Sequence, residues 1–182
     1  MPTLEDVFNS LVAGTPTYNA ERYDDSEPFT MGSKRILREM GQKYGFIVQD
    51  LESVSEFLTL DQVWLEGDYI ILAMEHEQQE DPIPDEWKKL VNVKGRIKVL
   101  ITYESDPIKR EELVKRARCL VLSSPFPLPG EKYLLIVGSI PREEGKTRDD
   151  PFIRYYGFAF DNSGNEIKRL RSHVVPLRQN VM

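Results

Sequence analysis

The feature that most constrains this 182-residue chain is the run Tyr69-Ile70-Ile71-Leu72-Ala73-Met74, followed at once by Glu75-His76-Glu77. A strand with one wet face alternates apolar and polar residues. An unbroken apolar run bounded by turn residues fits a strand covered on both faces. Glu66-Gly67-Asp68 just before it is a turn signal, and residues 60–65 read as a second extended segment. The pair therefore predicts a β-hairpin whose second strand is buried in a sheet between two helical layers.

The rest of the chain supplies the layers. Residues 4–13 carry Leu4, Val7, Phe8, Leu11 and Val12 at helical spacing, with Gly14 as a natural stop. Residues 15–30 are polar and read as a loop. A helix is predicted from Ser33, as its cap, to about Tyr44, with Ile36, Leu37 and Met40 as its buried stripe and Gly45 after it. Further strands are expected at 46–48, 96–103, 133–140, 155–160 and 166–170. Asn162-Ser163-Gly164 should turn the last two into a second hairpin. Residues 53–58 allow a brief turn or helix, and 85–93 a short helix centred on Trp87 and Leu90. Asp106-Pro107 opens a longer helix running to about Leu122. The expected fold class is α/β, with a central mixed sheet flanked by helices. The chain reads as a single domain, 1–182: an N-terminal helix and loop (1–32), a core of about 33–140, and a C-terminal hairpin and tail (141–182).

Composition narrows the setting. No apolar run approaches a membrane span, and the acidic start Met1-Pro2-Thr3-Leu4-Glu5-Asp6 lacks a signal-peptide pattern. Cys119 is the only cysteine, so an intrachain disulfide and a thiolate zinc cluster are excluded. A reducing, cytoplasmic setting is the simplest expectation. The net charge of −6 argues against coating a polyanion by bulk electrostatics, though a local basic surface would suffice. Basic residues gather at Lys109, Arg110, Lys115, Arg116 and Arg118, and at Lys168, Arg169 and Arg171. They read either as solvated faces or as that surface.

Some motifs fail. Gly145-Lys146-Thr147 invites a phosphate-loop reading, but Ile140 stands where the first glycine is needed, and Glu143 and Glu144 would repel phosphate. No dinucleotide-binding glycine fingerprint is present. His76 and His173 are the only histidines, too few for a multi-histidine metal site. Cys119, among Leu120, Val121 and Leu122, is expected to be a small core residue rather than a nucleophile.

One constellation survives. Glu75 and Glu77 lie two apart on a strand and so share a face, directly after the buried run. A three-residue turn spanning Gly67 to Tyr69 would set Asp61 opposite Glu75. Carboxylates converging there are the hard oxygen ligands that Mg²⁺ and Mn²⁺ prefer, and such an ion can activate water against a phosphodiester.

These elements resemble the PD-(D/E)xK, or restriction-endonuclease-like, nucleases. The matching parts are a helix with Glu39, a hairpin with Asp61 on its first strand and Glu75-His76-Glu77 on its second, then the helix at 85–93 and the strand at 96–103. The resemblance covers about 70 residues and rests on order and spacing. It implies a nuclease requiring Mg²⁺ or Mn²⁺ and acting on nucleic acid. Asp61 and Glu75 would hold the metal, and Glu39 and Glu77 would assist. Glu77 stands where the family places a lysine; Lys88 or, by preference, Lys89 from the next helix would substitute and orient the attacking water.

Other roles stay open to each residue. Glu75 and Glu77 are also ordinary for a strand exit, Asp61 for a turn cap, and Glu39 for a solvated helix face. His76 points away from the carboxylates by strand alternation, and Lys88 and Lys89 suit a helix end. Two rival expectations follow: a restriction-endonuclease-like binding or assembly module that no longer cleaves, or an unrelated α/β interaction domain. The latter would use exposed Trp87, Phe126 and Tyr155-Tyr156 for a partner, including a second copy of the chain as a homodimer.

Overall fold

The computed structural model describes residues 1–19, 27–50, 60–77, 83–124, 127–139 and 152–176. Helices α1 (Leu4–Asn19) and α2 (Glu27–Lys43) precede strands β1 (Ile47–Gln49), β2 (Gln62–Glu66) and β3 (Tyr69–His76). A π-helical turn, Ile83–Trp87, leads into α3 (Lys88–Asn92), followed by β4 (Gly95–Tyr103), α4 (Pro107–Leu122) and β5 (Lys132–Ser139). Strands β6 (Phe152–Asp161), β7 (Glu166–Arg171) and β8 (Val175–Pro176) complete the described chain.

The sheet keeps chain order from β1 to β7, and β8 pairs with β6. Strands β3, β4 and β5 are parallel, and the other neighbours are antiparallel. The fold is therefore α/β, with a mixed sheet flanked by four helices. Two crossovers that step the same way across a sheet, both right-handed, must place their helices on one face. Accordingly α3 and α4 share a core in which Trp87, Leu90, Leu113, Ala117 and Val121 pack over Ala73, Leu100, Leu135 and Phe158. The opposite face is covered by Leu4, Phe8, Leu11, Leu37 and Met40 of α1 and α2, over Leu72, Met74, Val99, Ile101 and Leu134. This double cover is why β3 reads as an unbroken apolar run.

Several local expectations are corrected. Gly14 does not stop α1. A Cβ there would lie 2.5 Å from Ile36 Cγ1, so the glycine is where α2 crosses closely, and the helix continues through it. The predicted loop at 15–30 is thus partly helical, and α2 begins before Ser33, which is buried inside it rather than capping it. Cys119 is exposed, because α4 buries Arg110, Leu113, Val114, Ala117 and Val121, a face that Cys119 does not share. Trp87 and Tyr155 are core residues, not exposed ones: the Trp87 indole donates to the Ala117 carbonyl at 2.8 Å. Phe126, the turn at 53–58 and Gly145-Lys146-Thr147 lie outside the described residues. After the second hairpin, the tail forms the short strand β8.

Candidate functional site

The hairpin β2–β3 sets the site. Glu66 pairs with Tyr69 and Leu65 with Ile70, so the turn is the two residues Gly67-Asp68, with Gly67 at φ 58°. A bulge then leaves Ile71 as an extra residue, and the ladder resumes with Trp64 opposite Leu72 and Gln62 opposite Met74. One step further sets Asp61 opposite Glu75. Without the bulge Asp61 would face Met74 and the other side of the sheet, because a one-residue slip inverts a strand's faces. The expected register is reached, by a two-residue turn plus a bulge rather than by a three-residue turn.

Asp61 is held on two sides. Its Oδ2 accepts the His76 backbone N–H at 2.7 Å, and its Oδ1 lies 3.2 Å from Lys34 Nζ. Lys34 comes from α2 and is itself buried, and its carbonyl accepts from the Gln62 side chain at 2.9 Å. That amide also donates to Asp50, which pairs with Arg38. The end of β2 is thereby tied to α2 through polar contacts.

Glu75 is 5% exposed. Burial, then the charges of Asp61 and Glu86, push its carboxyl up to about 9, against a smaller lowering by Lys89. Its Oε1 has no hydrogen-bond partner among the described residues. Lys89 Nζ lies 3.9 Å from that oxygen and 2.6 Å from Glu86 Oε2. Burial pulls the Lys89 ammonium down, but the Glu86 hydrogen bond and the charges of Glu75, Glu86 and Asp61 outweigh it and leave its pKa raised. Lys88 instead faces Asp85 at 4.0 Å and is well exposed. Lys89 is thus the lysine that reaches Glu75.

On the other face of β3, the His76 ring shares a hydrogen bond with the Tyr103 hydroxyl at 2.9 Å. Burial, helped by Lys34, lowers its pKa to about 3, so the ring is neutral. Tyr103 is hydrogen bonded to Tyr155, and Tyr155 to Thr15 of α1 at 3.3 Å. This file of buried hydroxyls joins the strand end to the helical layer.

The remaining expected residues fall as follows. Glu77 follows β3 on the Glu75 face, with its backbone N–H bonded to the Ile101 carbonyl at 2.8 Å. Glu39 is rotated by about 140° from Lys34 on α2, at ~100° per residue. It pairs with Arg35 at 3.2 Å and lines a groove of about 810 Å³ between α1 and α2, away from Lys34's contact with Asp61. Sequence reasoning missed Lys34 and Glu86. Glu86 carried a signal, the i,i+3 pair with Lys89; Lys34 carried none, since its reach to Asp61 depends on how α2 crosses the sheet.

Four buried side-chain atoms lack a partner among the described residues: Glu75 Oε1, His76 Nδ1, Thr102 Oγ1 and Arg154 Nε. All lie at the carboxyl end of the parallel strands: Glu75 and His76 end β3, Thr102 nearly ends β4, and Arg154 pairs with Ser139 at the end of β5. Buried polar atoms are nearly always satisfied in folded proteins, so four orphans on one edge make it the candidate site. That is also where open α/β sheets receive ligands. Among the described residues no helix is long and apolar enough to cross a membrane. No protein-family model matches the chain, and no curated protein matches it.

Proposed function

We propose that the chain hydrolyses phosphodiester bonds of nucleic acid with a divalent cation, Mg²⁺ or Mn²⁺, held by Asp61 and Glu75. The observation that carries this reading is the Glu75 carboxyl, buried beside Asp61 and Glu86 with one oxygen unsatisfied among the described residues. The reading also draws on the resemblance to restriction-endonuclease-like nucleases, whose order of helix, hairpin, helix and strand is that of α2, β2–β3, α3 and β4.

The donors fit such an ion. They are all carboxylate oxygens, which suit Mg²⁺ and Mn²⁺. No group of three or more His, Cys, Asp or Glu among the described residues is arranged as a metal cage. Mg²⁺ does not require one, because it commonly takes one or two carboxylates and completes its shell with water and substrate phosphate. A bound ion would supply charge neutralisation at the phosphoryl group and a more acidic water. The protein's own part is to hold Asp61 in place through Lys34 and the His76 amide, and to give up the Glu75 proton. Lys89 then stands where it can orient the attacking water. Glu77 supplies a further carboxylate on the same face. Glu39 takes no part, since it is exposed and paired with Arg35.

A second reading, a module that binds nucleic acid without cleaving it, draws on the lysines already compensating these acids. Lys34 sits against Asp61 and Lys89 against both Glu75 and Glu86. Cleavage of labelled single- and double-stranded DNA and RNA with Mg²⁺ or Mn²⁺ separates the two. Hydrolysis abolished by Asp61→Ala and by Glu75→Ala supports the enzyme, whereas metal-dependent hydrolysis that survives both substitutions refutes the site.

A further inference from the structure

Two arginines meet at Tyr156 on the α3/α4 side of the sheet, at the same carboxyl edge as Glu75, and a third stands on the same strand face. Arg110, in the first turns of α4, places its guanidinium 3.9 Å from the centre of the Tyr156 ring. Arg171, the cross-strand partner of Tyr156 on β7, lies 5.7 Å from the same centre. Arg154 precedes Tyr156 by two residues on β6, so it shares that face.

None of the three has a carboxylate partner among the described residues. The neighbouring acids are engaged elsewhere. Glu111 and Glu166 bind Arg169, and the Asp106 side chain accepts from the Ile108 and Lys109 amides. Arg110 is nonetheless buried, at 9% exposure, and Arg154 Nε is a buried donor without an acceptor among the described residues. A buried cation ordinarily has a counter-charge, and like charges set side by side on a sheet repel. Guanidinium groups gathered in this way suit bidentate capture of phosphate oxygens.

Position narrows the ligand. The register runs Glu77, Thr102, Val137, Tyr156, Arg171 straight across the sheet. Arg154 on β6 and Arg171 on β7 therefore sit three and four strand spacings from the Glu75–Glu77 edge, roughly 14–19 Å at ~4.8 Å per strand. The orphaned Thr102 hydroxyl lies on the row between. A ligand spanning both sites must be extended and carry repeated phosphates.

We propose that Arg110, Arg154 and Arg171 form a clamp for the sugar-phosphate backbone of a nucleic-acid strand whose neighbouring phosphodiester reaches Glu75. This rests on the reading of the Glu75 edge as a phosphodiesterase site, and it names the residues that hold the substrate there.

Fluorescence anisotropy of a labelled oligonucleotide, in EDTA so that nothing is cleaved, tests the clamp. Arg171 is exposed and Arg154 partly so, which makes Arg171→Ala and Arg154→Ala the safe variants, and their circular dichroism melts verify folding. Each should weaken binding about fivefold or more and lower the slope of log K against log salt by roughly 0.7–0.9, one phosphate contact. Lys168→Ala, which removes a lysine paired with Glu5 elsewhere on β7, should bind as wild type. Unchanged affinity in both arginine variants overturns the clamp, as does a wild type that binds vesicles containing phosphatidylserine but no oligonucleotide. The two readings fail separately. If the arginine variants lose binding but no form of the protein cleaves, the clamp stands and the hydrolytic reading falls. If cleavage depends on Glu75 while both arginine variants bind normally, only the clamp falls.

Discussion

The Lys89 ammonium lies 3.9 Å from Glu75 Oε1, on the opposite side of a short helix from the indole that anchors it. The π-helical turn Ile83–Trp87 and α3 make this possible. Trp87 is fully buried against α4, and Lys89, two residues on, is turned back to the strand end with Glu86 as its second partner. A cation at this distance stabilises a charged Glu75, yet burial and two neighbouring acids prevail and keep Glu75 protonated near neutrality.

That balance makes stability depend on pH. The folded-state pKa of Glu75, about 9, lies above its ordinary value of 4.5, so the folded protein holds a proton that the unfolded chain releases. The contribution is full below about 4.5 and is lost as pH rises toward 9. Thermal melts should therefore show the wild type falling by about 5 °C or more across that window, on the order of a few kcal/mol. Glu75→Gln, which keeps the neutral shape, should flatten the profile. A wild-type profile as flat as that of the variant would contradict the raised pKa.

The same proton competes with a metal ion. Calorimetric titration with Mn²⁺ should show affinity rising up to about tenfold per pH unit between roughly pH 6.5 and 8.5, with about one proton released per ion. Asp61→Ala and Glu75→Ala should each abolish the heat. A pH-independent affinity, or one that survives Glu75→Ala, would place the ion elsewhere.

Lys34 and Asp61 form a nearly buried pair, 3.2 Å apart at 8% and 13% side-chain exposure. Removing one partner of such a pair leaves the other's charge desolvated without its counter-ion. Lys34→Met should cost about 2–4 kcal/mol in urea denaturation. An effect below about 0.5 kcal/mol would mean that water reaches Asp61 freely.

At the opposite end of the strands, Lys98 and Glu131 are buried together, with Nζ 2.5 Å from Oε1 and the Tyr133 hydroxyl donating to Glu131 at 2.9 Å. Burial lowers the Lys98 pKa despite this partner. Lys98→Met and Glu131→Leu should each cost about 3–5 kcal/mol, while the double variant should cost less than their sum, because no charge is then stranded. Additive losses in a double-mutant cycle would show that the two groups do not interact.

Much of this molecule is local in origin. The unbroken run from Tyr69 to Met74, the turn residues beside it, the Asp106-Pro107 helix start and the Asn162-Ser163-Gly164 turn act over a few residues. The sequence alone therefore determines the element order from α1 to β7 and the α/β class. It also places Glu75 and Glu77 on one face, because strand alternation is a property of the backbone.

Contacts between distant segments were decided only by packing. Gly14 looked like a helix stop until Ile36 crossed it, and Cys119 looked like core because its neighbours in sequence are apolar. The facing of Asp61 and Glu75 required a bulge at Ile71 that no local signal marks. Whether Lys34 stands at Asp61, whether Lys89 and Glu86 stand at Glu75, and whether Arg110 meets Arg171 at Tyr156, depends on how two helical layers seat on a sheet. Charged side chains are long enough to satisfy many seatings, so composition and spacing leave their partners undetermined until the backbone is in place.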